Sequence, residues 1–324
     1  MLKQKQGGFT LLELLVVITL LAVLSVGALV AYEGIGENAN NVAAANNIKT
    51  ADSSIRAYRA IENAYPNQWD NLANLGGEVA GGAFGFLADA TKGFFGQWVV
   101  PSSANATWVA VADALESVGI DELQTLQTTS TFGADVVPNL AFNESEPSNT
   151  ADPADELEFD ETGAVTFDGA AHAGTFALSI VPSSVAGVAG DCTAGTVSLT
   201  GTLSGATVAD SKALNLINDS LDNDGCHLVL ALGFGKDVPG TTLGSRVAIS
   251  TAPTYTNGNV INPSTHYARY IALFQVGSDG SDGSVADGDI SAAEVFNTPR
   301  LIAVVDTEGR TIDQAIAGAY TSSN

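Results

Sequence analysis

The sequence predicts an α+β protein, a long N-terminal helix packed on a mainly antiparallel β head. Three observations carry that prediction. A charge-free apolar run over residues 14–31 is followed by apolar residues at steps of three and four as far as Ile61, which marks one helical face. An acid-rich segment with two prolines then interrupts the chain over 143–168. Beyond it, short β-branched and aromatic runs alternate with turn residues, the pattern of sheet.

The N-terminus comes first. Lys3 and Lys5, with no acid among them, precede Gly7-Gly8 and then Phe9-Thr10-Leu11-Leu12-Glu13. At about 1.5 Å per residue, the run 14–31 is long enough to cross a bilayer core of about 30 Å. Basic residues stay on the cytoplasmic side, so the N-terminus is expected inside and the remainder outside. Glu13 breaks the pattern of a simple anchor. A carboxylate at helix-centre depth costs roughly 2.5–3.5 kcal/mol, and somewhat less near the end, so it needs a partner.

From Gly8 to Leu24 the chain resembles the class III leader of type IV prepilins and type II secretion pseudopilins. A Sec signal peptide would instead place its cut after the apolar stretch. The resemblance implies that a prepilin peptidase cuts after Gly8 and methylates the new amino terminus on Phe9. It also implies that Glu13 attracts the terminal amine of the adjacent subunit during assembly. Within one helix, Glu13 can instead compensate its own Phe9 amine. An ion pair at low dielectric loses much of its gain to desolvation, so its expected role is register between subunits more than stability.

The rest of the helix follows from periodicity. After a short break at Gly34 and Gly36, Val42, Ala45, Ile48, Ala51, Ile55, Tyr58 and Ile61 are expected on one buried face. Gly27, Gly34 and Gly36 are weak points, each costing up to about 1 kcal/mol in a helix interior, and a locally melted segment there fits the resemblance. Residues 9–63 thus form the spine, membrane-spanning or filament core to about residue 31. Tyr65-Pro66 ends it. The pair, followed by the spaced Leu72 and Leu75, resembles a pseudopilin feature.

Residues 64–142 read as a mixed helix and loop region of the head, with a Gly-, Ala- and Phe-rich loop over 76–96 and a helix over 108–123. Residues 143–168 carry nine acids and no base and read as an exposed acidic loop or linker. Residues 169–324 form the β-rich C-terminal head, with strands expected over 175–181, 195–203, 228–234, 246–251, 266–276 and 301–306. Asp306-Thr-Glu-Gly309 is a turn signal before a further run over 310–316.

Composition limits the chemistry. The 324 residues carry a formal charge of -24, and removal of residues 1–8 would lower it by two more. The remaining lysines and arginines are scattered, which argues against nucleic acid as a partner. His172, His227 and His266 follow no metal or triad spacing, and no catalytic constellation emerges, so no enzyme activity is expected. Cys192 and Cys226 lie in the exported part, where an isolated pair favours a disulfide; the 34-residue loop would be worth roughly 3–4 kcal/mol. The Gly-Asp segment 277–289 is the best candidate for a cofactor, calcium, through Asp279, Asp282, Asp287 and Asp289. The resemblance supports it, because major pseudopilins bind calcium in a loop of the C-terminal part. Against it, the segment is not an EF-hand, and Ser291 with Glu294 forms a capping box that Asp289 would simply precede.

The function these readings imply is structural. The chain is expected to be a subunit of a type IV pilus-like filament or a type II secretion pseudopilus. Its expected partners are copies of itself or related pilins, the prepilin peptidase, an inner-membrane assembly platform, and the membrane before assembly. It would start in the inner membrane and end in a periplasmic pseudopilus or an extracellular surface filament. The alternative is a minor or tip subunit delivered by the same leader, whose β-rich head binds a carbohydrate or a protein.

Overall fold

The computed structural model describes residues 10–74, 87–88, 91, 94–126, 142, 155–183, 192–201, 221, 225–235, 261–263 and 265–321. Helix α1 runs unbroken over Leu11–Glu62, about 78 Å. No break occurs at Gly34 or Gly36. The helix stops where Asn63 takes a left-handed conformation, φ 56°, three residues before Pro66.

The head is a sheet of β1 (Trp69–Asn74), β2 (Gly96–Val100), β3 (Glu122–Leu126), β4 (Asp155–Phe159), β5 (Val165–Phe167), β6 (Ala170–Ala171), β7 (Phe176–Ile180), β8 (Thr193–Ala194), β9 (Val197–Gly201), β10 (His227–Phe234), β11 (Tyr270–Ser278), β12 (Asp289–Ile290) and β13 (Val295–Val305). Helix α2 (Ala106–Glu116) lies between β2 and β3, and helix α3 (Ile312–Thr321) follows β13. Only β1–β3 and β8–β12 pair in parallel among the described residues. The expected architecture, a helix on a mainly antiparallel head, is the one observed.

The sheet forks at β10. One edge of β10 pairs along its length with β11, which pairs with β13. The other edge serves two strands: Leu230 faces Ile180 of β7, while Leu232 and Gly233 face Asn71 and Asp70 of β1. From β7 the order continues β2-β9-β8-β12, and from β1 it continues β3-β4-β5-β6. Where two strands diverge, buried backbone groups lose ladder partners and need others. Asn71 and Ser179 supply them. Asn71 Nδ2 donates to the Ala177 carbonyl at 2.9 Å, and Asn71 Oδ1 accepts from the Ser179 amide at 2.9 Å. Ser179 Oγ accepts from the Leu72 amide at 3.1 Å and donates to the Ala231 carbonyl.

Strand alternation splits the core in two. Leu228, Leu230, Leu232, Phe234, Tyr270, Ala272 and Phe274 join the cluster of the three helices. Val229, Ala231, Ile271 and Leu273 join Leu72, Phe95, Phe142 and Tyr267 on the opposite face. Burial on both faces explains why β10 reads as an unbroken apolar run. Below this layer, Asp70 accepts hydrogen bonds from Tyr267 Oη at 2.6 Å and Arg269 Nη1 at 2.9 Å, all three side chains being buried. Gly233 makes room for them, since a Cβ there would sit 1.8 Å from Tyr267 Oη.

Ala44, Ala45, Ile48, Ala51 and Ile55 bury the C-terminal half of α1 against α3 and β13. Asn47 Nδ2 donates to Tyr270 Oη at 3.2 Å, and Arg56 Nη2 to the Leu301 carbonyl at 3.3 Å. Val42 and Ile61, expected on this face, are instead 49% and 63% exposed, because the real stripe is centred on Ile48 and leaves the packed region at both ends.

Three further expectations are corrected. The segment 143–168 is not a linker in its second half: β4 and β5 lie there, with Leu157, Phe159 and Val165 inward and the acids between them outward. The helix expected over 108–123 ends at Glu116, because Gly119 (φ 84°) turns the chain into β3. The run 310–316 belongs to helix α3 rather than to a strand, and Ala315 packs into the helical core. The strand expected over 246–251 lies outside the described residues.

Candidate functional site

The residues singled out by sequence fall in two places, the start of α1 and the loop between β11 and β13. At the first, Gly8 and Phe9 lie outside the described residues, and Thr10 is the N-cap of α1. The Thr10 amide and Thr10 Oγ1 both donate to Glu13 Oε2 at 2.9 Å, and the Glu13 amide donates back to Thr10 Oγ1 at 3.2 Å. This reciprocal cap satisfies otherwise unpartnered helix amides and puts a negative charge at the positive end of the helix. Thr10 has a defined job that the first reading of the sequence missed. The signal was present in its Thr-x-x-Glu spacing.

Behind that cap, Leu11–Leu29 is long and apolar enough to cross a membrane, with a mean hydropathy of 2.6 and none of it buried against the rest of the chain. Its large side chains stand open, Leu11 at 84% and Val23 at 72%. Ser25 and Thr19 do not break the apolar surface, because each hydroxyl donates to a carbonyl of the preceding turn. So much exposed apolar surface marks an interaction with lipid or with other chains.

The second place is built around backbone amides. Asp279 accepts from the amides of Asp287 at 3.2 Å and Gly288 at 2.8 Å; Asp282 accepts from Ser284 at 2.8 Å; Asp287 accepts from Asp289 at 2.9 Å. Asp289 reaches away from the loop to the Thr196 amide at 2.8 Å. The Ser291–Glu294 capping box is present, and Glu294 also accepts from the Gly280 amide at 2.6 Å. Among the described residues, no three acidic, histidine or cysteine side chains gather as a metal's ligands would. In this arrangement the carboxylates of Asp279, Asp282, Asp287 and Asp289 each accept from backbone amides.

The disulfide joins Cys192 to Cys226 with Cα atoms 5.6 Å apart, and both residues are buried. It fastens the start of β10 to the strand pair β8–β12. The Cys226 carbonyl accepts from the Asp279 amide at 3.0 Å, so the same bridge anchors the acidic loop.

A third feature was not singled out by sequence. Glu116, Asp121, Glu122, Glu158 and Asp160 line a cleft of about 570 Å³ beside β3 and β4. Burial, with the nearby Glu156, Glu158 and Asp121 adding repulsion, pushes the Glu122 carboxyl up to about 7 even though Gln68 donates to it. Glu158 and Asp160 come from the acidic segment 143–168, and Glu116, Asp121 and Glu122 from the end of α2 and the start of β3. His172, His227 and His266 are not brought together: they lie in the β6–β7 turn, in β10 and before β11.

What geometry defines is a β head on a helical spine whose first half has no partner among the described residues. Residues 3–29 match the family model described as the prokaryotic N-terminal methylation motif. No curated protein and no solved structure matches the chain. The chain carries a prokaryotic N-terminal methylation motif, and the motif with the apolar helix behind it is consistent with a class III prepilin leader.

Proposed function

We propose that this chain is a structural subunit of a type IV pilus-like filament or a type II secretion pseudopilus. In this reading, cleavage after Gly8 frees the amine of Phe9, which is then methylated. The membrane holds the apolar half of α1 until the subunit leaves it, and neighbouring copies of that half then replace the lipid. The observation that carries the proposal is the coincidence of the methylation motif at residues 3–29 with the wholly unburied helix Leu11–Leu29. Leaving each large aliphatic side chain there in water would cost about 1.5–3 kcal/mol, so a subunit that leaves the lipid has to bury this half against neighbouring copies.

Glu13 has two partners in this scheme. Before assembly it caps its own helix through Thr10. In the filament its remaining acceptor capacity meets the amine of an adjacent subunit and fixes register. Replacing Glu13→Val tests this. Cleavage is expected to proceed, because the cut lies before Glu13, while filament yield in a sheared surface or pseudopilus fraction falls at least tenfold. Normal filaments from the processed variant would remove the register role.

A further inference from the structure

The second face of the sheet is covered by apolar side chains except at one end. There β10, β11 and β13 line a cleft of about 440 Å³ with His227, Gln275, Ser278, Thr298 and Arg300, and with Phe296 at its rim. That volume lies within the range of small-molecule sites, about 300–1,000 Å³.

Arg300 sets the cleft apart. Acids outnumber lysine and arginine 36 to 12 in this chain, and Arg56, Arg269 and Arg310 each sit against a carboxylate. Arg59 lies over the Tyr65 ring and donates to the Asn63 carbonyl, outside this cleft. Arg300 has no carboxylate partner among the described residues. It is nevertheless held in place. Its guanidinium lies over the Phe296 ring, 5.0 Å from the centroid, and Nη2 donates to Gln275 Oε1. Gln275 Nε2 lies 3.3 Å from His227 Nδ1, which is 3.0 Å from Ser278 Oγ. Gln275 and His227 are 1% and 3% exposed, so the support beneath the guanidinium is rigid. No carboxylate lines the cleft among the described residues.

We propose that this cleft binds a small hydroxylated monocarboxylate, the chemical class of acidic sugars. The remaining Arg300 N–H groups match the planar fork of a carboxylate. Thr298 presents its hydroxyl at the exposed wall. Ser281, whose proton goes to the Glu294 carbonyl, and Ser278, which is bonded to His227 and the Cys226 carbonyl, offer acceptor oxygens to the hydroxyls of a sugar ring. A protein of charge -24 repels polyanions at long range, which favours a ligand with a single charge. The fixed guanidinium lowers the ordering cost of binding.

The test is a calorimetric titration of the full-length chain in detergent micelles with glucuronate, and with glucose and acetate as the neutral and minimal counterparts. Glucuronate is expected to bind saturably and at least tenfold tighter than either counterpart. Arg300→Gln should weaken it roughly tenfold or more, as loss of a charge-assisted hydrogen bond implies. Its melting temperature should fall by no more than a few degrees, the cost of the donor lost to buried Gln275 Oε1. A Phe296→Ala variant that keeps Arg300 separates such a loss from the loss of the ligand's charge partner. Arg56→Gln should bind as the parent does. Thr298→Val provides a second, milder lesion, expected to weaken glucuronate more than acetate. Failure of glucuronate to bind, equal binding of glucose or acetate, or unaltered binding in both Arg300→Gln and Thr298→Val would overturn the proposal.

Discussion

The two halves of α1 share one unbroken helix and have opposite surroundings. From Ala44 to Ile55 an apolar residue every third or fourth position is buried against α3 and the sheet, and the residues between are polar. From Leu11 to Leu29 the surface beyond Glu13 is apolar all round, and none of the described residues covers it. An amphipathic stripe points to a core that the protein itself provides. A helix apolar on every side needs an environment, lipid or other subunits, that the single chain does not contain. The head half therefore answers to the stability of one molecule, and the leading half answers to its company.

Paired truncations break or sharpen that contrast most strongly. Ile48→Ala, at a fully buried site, should destabilise the head by about 2–5 kcal/mol in denaturant melts. Leu20→Ala in the exposed half should leave the same melt unchanged in detergent and act only on assembly. Equal loss from both would mean that the leading half packs on its own head. The next effect is the bridge. Cys192→Ser with Cys226→Ser removes a cross-link over a sequence separation of 34 residues, worth about 3–4 kcal/mol. The double variant should melt lower in the head while still being processed at its N-terminus.

The smallest effect is the pH dependence of the head. Asp306 lies in the turn between β13 and α3. Burial there, with the Glu308 charge adding to it, pushes its carboxyl up to about 7 against the pull of the Arg310 and Glu308 amides and of the Arg310 guanidinium 2.9 Å away. Glu122 is raised to about 7 as well. Both groups keep a proton in the folded head at pH values where the unfolded chain has lost it. Their contribution is fully present below the ordinary carboxylate range near 4 and is lost as pH rises through about 7. The head should melt higher at about pH 5 than at about pH 8, and Glu122→Gln should flatten part of that slope. A melt that rises over the same window would show that these carboxyls are ionised and paired in the fold.

The helix was legible in sequence because its signals are local, namely spacing, charge-free length and the Tyr65-Pro66 stop. The sheet's centre was legible in part, since β7, β10 and β11 read as apolar runs. Its fork was not. Trp69-Asp-Asn-Leu-Ala-Asn74 carries no alternation, and Asn71 and Ser179 are residues expected at the surface, whose burial makes sense only once strands from distant segments converge. Acids misled at 155–161, where they concealed strands whose inward residues are apolar. Those at 279–289 accept from backbone amides. The Cys192–Cys226 pair was legible because so few cysteines leave one pairing. The Arg300 cleft was not, since it joins three strands through pairing that no spacing announces.

The central claim is that the leading half of α1 begins a processed subunit, and the intact mass of the protein recovered from a host with a prepilin peptidase tests it most directly. The account predicts loss of residues 1–8 and the gain of one methyl group, located on Phe9 by fragmentation. A chain that retains residues 1–8, or that is cut beyond the apolar stretch, would contradict it.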